Sequence, residues 1–137
     1  MEVKIATMMA KNQTQSARKR VLLVEDDPND IELAVWMLSK KLDCDVICAG
    51  SAAEVETALQ GQALDVIVSD SGVSDMDGMT ALKTAQTIRP EVPFVFCSGE
   101  AQAEKVALAT QAGAASWVKK DARYANLITE IKRLCGG

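Results

Sequence analysis

The sequence predicts an α/β fold with a single doubly wound, five-stranded parallel sheet that carries helices on both faces. About five short apolar runs alternate with about five segments whose apolar residues recur at helical spacing. The apolar runs are continuous, which is typical of strands buried on both faces. Because alternating strands and helices are joined by right-handed crossovers, this order predicts a parallel sheet. The length of 137 residues suits one domain.

The first strand and the first helix have the clearest boundaries. The apolar run Val21–Val24 is predicted to be a strand, and it stops at two acidic residues. Asp27 is typical of a helix N-cap, and Pro28 suits the first helical position because its missing N–H needs no partner there. The helix itself is predicted from apolar residues at positions i, i+4, i+7 and i+11, namely Ile31, Val35, Leu38 and Leu42.

The other elements are predicted in the same way. Further strands are expected at Cys44–Ala49, Leu64–Ser69, Pro93–Cys97 and Ala115–Lys119. Further helices are expected from the capping box Ser51–Glu54 to about Gln60, from Gly78 to Ile88, from Ala101 to Ala112, and from a cap at Asp121 along the apolar residues Leu127, Ile131 and Leu134. Residues 71–78 are predicted to form a loop in which Asp75 and Asp77 stabilise the turn and the start of the next helix.

Charge is distributed unevenly along the chain. Met1–Arg20 carries five basic side chains and one acidic one, whereas the whole chain has a net charge of −4. We therefore predict two parts, a basic and flexible N-terminal tail at residues 1–19 and a domain at residues 20–135. The acidic domain argues against direct binding of nucleic acid, since phosphate groups would be repelled.

Several classes of function are excluded by missing residue types. The chain contains no histidine, which excludes a Ser-His-Asp or Cys-His nucleophile pair, a histidine metal ligand and a phosphohistidine donor.

No apolar run reaches the ~18 residues of a membrane span, so no membrane association is predicted. The cysteines include no Cys-x-x-Cys pattern and are predicted to be reduced core residues of a cytoplasmic protein; they are Cys44, Cys48, Cys97 and Cys135.

Reactive side chains stand at the ends of the predicted strands. They are Glu25 and Asp26 after the first strand, Asp70 after the third, Ser98 after the fourth, and Lys119 and Lys120 at the end of the fifth. Ligands of parallel sheets bind beyond the carboxyl ends of the strands, so we expect these side chains to converge. Two carboxylates ~4 Å apart repel by about 4 kcal/mol at an effective dielectric of about 20, so three persist only with a proton or a cation. Because the side chains at this edge offer carboxylate oxygens as ligands, the predicted cation is Mg²⁺.

The chemistry predicted for this site is transfer of a phosphoryl group. A carboxylate next to Mg²⁺ can attack a phosphorus atom and become an acyl phosphate. Asp70 is best placed to attack because it stands alone at its strand end, whereas Glu25 and Asp26 are adjacent and can share the metal. A hydroxyl and an ammonium group can stabilise the charge on the phosphoryl oxygens. Because side chains alternate across a strand, only one of Lys119 and Lys120 can face the site.

Four motifs in this order resemble those of bacterial response-regulator receiver domains. They are Val24–Pro28, Ile67–Asp70 with Met76–Gly78, Cys97–Glu100, and Gly113–Ala114 leading to Lys120. The resemblance covers Arg20–Leu134. It implies a flavodoxin-like fold that accepts a phosphoryl group from a sensor histidine kinase or a phosphotransfer protein and then switches a partner-binding surface. Such a domain is a signalling switch rather than an enzyme, with self-catalysed uptake and loss of the phosphoryl group as its only chemistry.

The resemblance also implies which residues hold the phosphoryl group and the metal. Asp70 is the expected phosphoacceptor. Mg²⁺ is expected to be held by Asp26, by Asp70, by the backbone carbonyl of Gly72, and by Glu25. Glu25 replaces the more usual aspartate and is one methylene longer, so we expect it to reach the metal through water.

Switching is expected to involve Ser98 as the switch hydroxyl and Lys120 as a contact to the phosphoryl group. Trp117 stands where the family often carries a switch aromatic, although a buried aromatic without a switching role fits equally well. Gly72 and Glu100 are expected to tune dephosphorylation, since Gly72 has no side chain to shield the acyl phosphate from water. The expected switch surface consists of the fourth strand, fourth helix and fifth strand. A homodimer through the fourth helix, fifth strand and fifth helix is one option.

Two positions depart from the family pattern, which often has proline at both. These are Ser74, four residues after the acceptor, and Asp121, directly after Lys120. A cis bond without proline costs ~3 kcal/mol, so the family's cis peptide is not expected at Asp121. The departures leave open a degenerate receiver that binds partners without phosphorylation. Another alternative, an Asp-nucleophile phosphohydrolase, is less favoured because Gly72 stands where such enzymes place a second acid.

Trp36 is a large aromatic residue that lies off the apolar stripe of the first predicted helix. We predict that it is a half-buried packing residue, with a docking surface for the kinase as the alternative. A flavin-binding module is a still weaker alternative for the whole chain, because no Ser/Thr/Gly-rich phosphate loop follows the first strand.

Overall fold

The computed structural model describes residues 18–61, 63–73 and 75–136. Within them the strands are β1 (Lys19–Val24), β2 (Cys44–Ala49), β3 (Val66–Ser69), β4 (Gly72–Val73), β5 (Met76–Asp77), β6 (Phe94–Ser98) and β7 (Ser116–Lys119). The helices are α1 (Pro28–Lys41), α2 (Ala52–Gly61), α3 (Gly78–Ile88), α4 (Ala103–Gln111) and α5 (Ala125–Cys135). None of these helices is long and apolar enough to cross a membrane.

Five strands form one sheet in the order β2-β1-β3-β6-β7, and every neighbouring pair is parallel. The strand order reverses between β1 and β3, because the chain first moves outwards to β2 and then returns to the other side of β1. In such sheets a ligand binds at this reversal, beyond the carboxyl ends of the strands. The predicted doubly wound, flavodoxin-like sheet is confirmed.

Two apolar clusters cover the opposite faces of the sheet. In β1, Leu22 and Val24 belong to the cluster that packs with α2, α3 and α4. Val21 and Leu23 belong to the cluster that packs with α1 and α5. Because successive residues of one strand are buried on opposite faces, the strands need continuous apolar runs rather than alternating ones.

Two predicted helix starts are confirmed by side-chain hydrogen bonds. Oδ1 of Asp27 accepts the N–H groups of Asn29 at 2.8 Å and Asp30 at 3.1 Å. Oγ of Ser51 accepts the N–H of Glu54 at 3.2 Å, as the capping box predicts. These bonds satisfy backbone donors that have no partner inside the first helical turn.

The predicted cap of the last helix is wrong, because α5 begins at Ala125 rather than directly after Asp121. Tyr124 occupies the N-cap position with a left-handed φ of 55° and no side-chain cap bond. Its N–H donates to the carbonyl of Asp121 at 3.2 Å, so a turn separates β7 from the helix. Oδ1 of Asp121 is buried without a hydrogen-bond partner among the described residues. The described residues contain no cis peptide bond, as predicted for Asp121.

The sheet begins earlier than predicted. β1 starts at Lys19, two residues before the predicted start of the first strand. Arg18 forms salt bridges with Asp43 at 2.7 Å and with Asp45 at 3.1 Å, which anchors the chain beside β2. Residues 18 and 19 therefore belong to the sheet end, although we predicted them to be part of the tail. The rest of the predicted tail, residues 1–17, lies outside the described residues.

Other boundaries differ by one or two residues, and one loop contains extra structure. β3 and α4 each begin two residues later than predicted, and β7 begins one residue later. The segment predicted as a loop after β3 contains the two-residue strands β4 and β5, which pair as an antiparallel hairpin. Ser74, one of the two departures from the family pattern, lies outside the described residues.

Two side chains, one predicted to be half-buried and one predicted to lie in the core, are exposed. Trp36 is 57% exposed, because it lies on the face of α1 that points away from the sheet, and Nζ of Lys40 lies 4.8 Å from its ring centroid. Cys48 is exposed because β2 is an edge strand, so the prediction that all cysteines are core residues is wrong at this position. All four cysteines carry free thiols, of which Cys44 and Cys97 are buried.

Candidate functional site

The carboxyl end of the sheet brings together residues from four strand ends. The N–H of Asp70 donates to the carbonyl of Val24 at 3.1 Å, which places the end of β3 beside the end of β1. The N–H of Lys120 donates to the carbonyl of Ser98 at 2.7 Å, which places the end of β7 beside the end of β6. These two backbone hydrogen bonds fix the backbone positions from which the acidic and basic side chains at this edge extend.

The ammonium group of Lys120 lies among three carboxylates. Its Nζ is 3.4 Å from Oε1 of Glu25, 3.4 Å from Oδ1 of Asp70 and 3.3 Å from Oδ2 of Asp30. Lys119, the other predicted lysine, is exposed. The positive charge of Lys120 therefore offsets part of the repulsion expected between carboxylates at this edge.

Glu25 is the most buried of the three carboxylates. Its side chain is 6% exposed, compared with 23% for Asp70 and 42% for Asp30. Burial raises the pKa of Glu25, and the charge of Asp70 raises it further. A hydrogen bond from the N–H of Asp27 to Oε2, at 3.2 Å, and the charge of Lys120 lower the pKa of Glu25 and so favour the charged form.

Lys120 is held in its charged form by its neighbours. Burial on its own would lower the pKa of Lys120. The charges of Asp70, Glu25 and Asp30 outweigh this and raise the pKa of Lys120 above its usual value. A permanently charged ammonium group at this position can attract an anionic group to the carboxylate edge.

Two further ionisable side chains near the site stay neutral at pH 7. Burial raises the pKa of the Cys97 thiol to about 12 and that of the Tyr124 hydroxyl to about 12. Thiolates rather than thiols act as nucleophiles and metal ligands, so Cys97 offers neither function. The nucleophiles and ligands at this edge are therefore oxygen atoms.

The structure does not group Glu25, Asp26 and Asp70 as three ligands of one cation. Across residues 18–61, 63–73 and 75–136, no three acidic or cysteine side chains are arranged to hold a metal ion. Glu25 turns inward to Lys120, whereas the next residue, Asp26, is exposed. The chemistry of the donors still fits a hard cation, since carboxylate oxygens and a backbone carbonyl are ligands that Mg²⁺ prefers.

Ser98 is buried at the end of β6, with 3% exposure. Its Oγ donates to Oγ of Ser71 at 3.3 Å and accepts the N–H of Glu100 at 3.4 Å. Ser71 directly follows Asp70 in the chain. The hydroxyl of Ser98 is therefore linked to the loop that carries the candidate acceptor.

Trp117 connects β7 to the loop that follows β6. Its Nε1 donates to the backbone carbonyl of Glu100 at 2.9 Å. Its ring stacks on Phe96, with centroids 4.8 Å apart and planes inclined by 30°. The side chain of Glu100 is exposed and lies 3.8 Å from Nζ of Lys105, which belongs to α4. A movement of the loop after Ser98 would therefore change contacts of both β7 and α4.

Both acidic residues of the loop after the candidate acceptor, Asp75 and Asp77, accept hydrogen bonds from backbone N–H groups. Oδ1 of Asp75 accepts the N–H of Ala52 at 3.0 Å, which ties the hairpin to the start of α2. Oδ1 of Asp77 accepts the N–H of Thr80 at 2.8 Å and caps α3. The prediction that Asp75 and Asp77 stabilise the loop and the helix start is confirmed. Gly72 is exposed within this hairpin, in β4.

Two residues that contact the site, Asp30 and Ser71, were assigned no role from the sequence. Asp30 lies in the first turn of α1, where an acidic residue is usually explained by the helix dipole. The sequence feature that could have indicated a site role is the position of Asp30 three residues after the cap Asp27, because this places Asp30 near the end of β1. Ser71 was treated as part of a polar loop, and its position directly after Asp70 was the available signal.

The fold and this edge define a class of protein, a receiver domain with a candidate acceptor carboxylate and a lysine at the ends of a doubly wound sheet. A family model described as the response regulator receiver domain matches residues 21–132. The chain therefore belongs to the response regulator receiver domain family, as its motifs predicted.

Curated relatives are longer than this chain. The transcriptional regulatory protein GlrR of Escherichia coli K12 is 32% identical over 108 residues, which are 76% of this chain and 24% of GlrR. The transcriptional regulatory protein AruR of Pseudomonas aeruginosa is 29% identical over 120 residues, which are 84% of this chain and 48% of AruR. The chain thus spans between about a quarter and about half of the length of these relatives.

Solved structures share the fold. The receiver domain of the sensor histidine kinase PA1611 from Pseudomonas aeruginosa PAO1 has a TM-score of 0.77 and 23% identity, over 88% of this chain and 100% of that chain. That crystal structure has a magnesium ion coordinated in the active site cleft. The chemotaxis protein CheY4 of Vibrio cholerae has a TM-score of 0.79 and 23% identity, over 86% of this chain and 99% of that chain. At these identities the similarity demonstrates a common fold.

Proposed function

We propose that this receiver domain accepts a phosphoryl group on Asp70, with Mg²⁺ as cofactor. The observation that carries the proposal is the ion pair between Oδ1 of Asp70 and Nζ of Lys120, at 3.4 Å, at the reversal of strand order. The carboxylate of Asp70 is 23% exposed and is paired with a charged lysine. It is therefore positioned to attack an anionic donor, and the ammonium group of Lys120 can stabilise the negative charge of the product. The donor is a sensor histidine kinase or a phosphotransfer protein, as the family membership suggests.

The transfer is an in-line displacement at phosphorus. A carboxylate oxygen of Asp70 forms the new O–P bond while the bond from phosphorus to the donor nitrogen or oxygen breaks. The leaving group departs with the electron pair of that bond, and Asp70 becomes an acyl phosphate. Lys120 donates to the phosphoryl oxygens, and the hydroxyl of Ser98 provides a further donor.

The residues proposed to hold Mg²⁺ are Asp26, Asp70 and the backbone carbonyl of Gly72, with Glu25 acting through water. Glu25 suits an indirect role because both of its oxygens already accept hydrogen bonds, from Lys120 at 3.4 Å and from the N–H of Asp27 at 3.2 Å. When bound, the metal neutralises charge on the phosphoryl oxygens. Asp26 is exposed, so its carboxylate can be reached from solvent.

Phosphorylation is proposed to act through the surface formed by β6, α4 and β7. Within α4 only Ala109 is buried, and Leu108 is 58% exposed, so few apolar contacts hold this helix. An element with so few contacts can change position at low cost in free energy. Movement of Ser98 toward the phosphoryl group would pull on Glu100 and hence on Trp117, which bonds the carbonyl of Glu100.

Tuning residues, partners and location complete this proposal. The domain is a switch whose chemistry is limited to its own phosphorylation and dephosphorylation, with Gly72 and Glu100 as tuning residues. The partners are the donor protein and, as one option, a second copy through α4, β7 and α5, without direct contact to nucleic acid. The four free thiols are compatible with the predicted cytoplasmic location. The predicted division into an N-terminal tail and a receiver unit ending at residue 135 is retained as part of the proposal, with the boundary moved from residue 20 to residue 18 because Arg18 and Lys19 lie at the sheet end.

The proposal is tested by incubating the protein with acetyl phosphate, with and without Mg²⁺, and measuring intact mass. We expect one added phosphoryl group that requires Mg²⁺ and is lost in Asp70→Asn. Asp65→Asn is the matched control, because Asp65 is exposed just before β3 and thus at the opposite end of the same strand. This control should be phosphorylated like the wild type.

Two outcomes would contradict the proposal and favour another function. A folded wild-type protein that gains no phosphoryl group would favour a receiver that binds partners without phosphorylation. Repeated hydrolysis of a generic phosphomonoester would favour a phosphohydrolase.

A further inference from the structure

We propose that Asp30 restrains phosphoryl uptake at Asp70, because it holds Lys120 in an ion pair and adds a negative charge beside the acceptor. This inference rests on the proposed phosphorylation of Asp70. It assigns a positioning role to a residue of α1 that contributes no strand-end motif.

The ion pair between Asp30 and Lys120 starts from a backbone position that is anchored at the beginning of α1. Nζ of Lys120 lies 3.3 Å from Oδ2 of Asp30, which is as close as its 3.4 Å distances to Glu25 and Asp70. The position of Asp30 is fixed from the backbone, because its N–H donates to the N-cap Asp27 at 3.1 Å. The carboxylate is therefore presented to Lys120 by the first turn of a capped helix, not by a mobile loop.

The charges around Lys120 do not balance. One ammonium group is shared by three carboxylates, so the group formed by Lys120, Glu25, Asp30 and Asp70 is negative overall. A phosphoryl donor is an anion and is repelled by this surplus. Glu25 is buried and Asp70 is the acceptor itself, whereas Asp30 is 42% exposed and supplies a charge that the transfer does not use.

Asp30 also competes with the product of the transfer for Lys120. The phosphoryl oxygens on Asp70 need the ammonium group as a donor, and Asp30 already accepts from it. Neutralising Asp30 therefore has two effects in the same direction. It lowers the repulsion of the incoming donor, and it leaves Lys120 with one competitor fewer.

The kinetic test compares initial rates of phosphorylation by acetyl phosphate, at Mg²⁺ concentrations raised until the rate no longer changes. We expect Asp30→Asn to take up the phosphoryl group about threefold to tenfold faster than the wild type. Asp30→Glu retains the charge and should restore a rate near that of the wild type. Glu32→Gln removes the same charge from an exposed position on α1, and its rate should change less than about twofold.

A second measurement examines the ion pair without any phosphorylation. In urea unfolding without Mg²⁺, Asp30→Asn is expected to lower the midpoint in the wild-type background. In a Lys120→Met background the same substitution should raise the midpoint, because the attractive partner is gone and the charge of Asp30 then only repels Glu25. Equal midpoint shifts in the two backgrounds would overturn the inferred pairing.

The outcomes separate this inference from the proposed function. If the wild type is phosphorylated but Asp30→Asn is unchanged or slower, or if Glu32→Gln is accelerated as much, the restraint by Asp30 is overturned and the proposed function stands. If the wild type takes up no phosphoryl group, the proposed function fails and the restraint fails with it, whatever the unfolding data give.

Discussion

Replacing Lys120 with methionine is expected to destabilise the protein by about 2–3 kcal/mol at about pH 7 in buffer without Mg²⁺. Removing one partner of a buried ion pair costs about 3–5 kcal/mol because the other charge is left without compensation, and the partial exposure of Lys120 reduces this cost. The group left behind is Glu25, whose side chain is 6% exposed and lies near two further carboxylates. Urea unfolding gives the difference in free energy.

The loss should depend on pH in a defined direction. Burial already raises the pKa of Glu25 in the folded protein, and loss of Lys120 removes a charge that lowers it. A group whose pKa is raised by folding contributes stability that is fully present below its unfolded pKa and is lost as the pH rises through its folded pKa. The difference between Lys120→Met and the wild type should therefore shrink as the pH is lowered from about 7 toward about 5.

Two further variants separate this cause from a general loss of packing. Adding Glu25→Gln to Lys120→Met removes the uncompensated charge and should restore most of the stability at neutral pH. Lys119→Met changes the adjacent, exposed lysine and should stay within about 0.5 kcal/mol of the wild type. A loss that is the same at acid and neutral pH would contradict the role assigned to Glu25.

Substituting alanine for Gly78 is expected to destabilise the protein by about 2–3 kcal/mol. A Cβ at this position would lie 2.5 Å from Cε1 of Phe96 and 2.7 Å from the backbone oxygen of Ser71. The backbone contact cannot be relieved by a side-chain rotation, and the N–H of Gly78 donates to that same oxygen at 2.9 Å. The close packing of Gly78 on the backbone of Ser71 connects the start of α3 to the loop after the candidate acceptor Asp70.

The matched control for Gly78→Ala is Gly61→Ala. Gly61 is the last residue of α2 and is exposed, and a Cβ added there would meet no atom of another described element within 4 Å. Alanine there should be neutral or slightly stabilising, since alanine has the better helix propensity. Because Phe96 stacks on Trp117, the Gly78 variant should also change the fluorescence of the folded protein. Stability equal to that of the control would show that the loop moves freely away from α3.

The parts of the fold that could be predicted from the sequence are those set by local patterns. Continuous apolar runs predicted the strands because both faces of the sheet are buried, as the two clusters around β1 demonstrate. Residues at the ends of those runs had to meet at one edge, which is why Asp70, Glu25 and Lys120 could be predicted to converge. Strand alternation allowed only one of the two lysines to face the site, and the resemblance to receiver domains favoured Lys120, whose Nζ lies 3.4 Å from Oδ1 of Asp70.

What could not be predicted depends on contacts between distant segments. Asp30 reaches Lys120 across 90 residues of sequence, and no local pattern distinguishes it from an ordinary acidic residue in a first helical turn. Asp121 looked like a helix cap, but a turn ending in the left-handed Tyr124 delays α5. Cys48 fell in an apolar run, and its exposure follows from the position of β2 at the sheet edge, which only the strand order reveals.

Binding of a divalent cation at this carboxylate edge, next to Lys120, is measured by the free energy of unfolding as a function of Mg²⁺ concentration. For one site, stability should rise by ~1.4 kcal/mol when Mg²⁺ reaches ten times its dissociation constant. The rise should be lost in Asp26→Asn and in Asp70→Asn, and it should be retained in Asp65→Asn. No rise in the wild type, or an equal rise in all four proteins, would contradict cation binding at this edge.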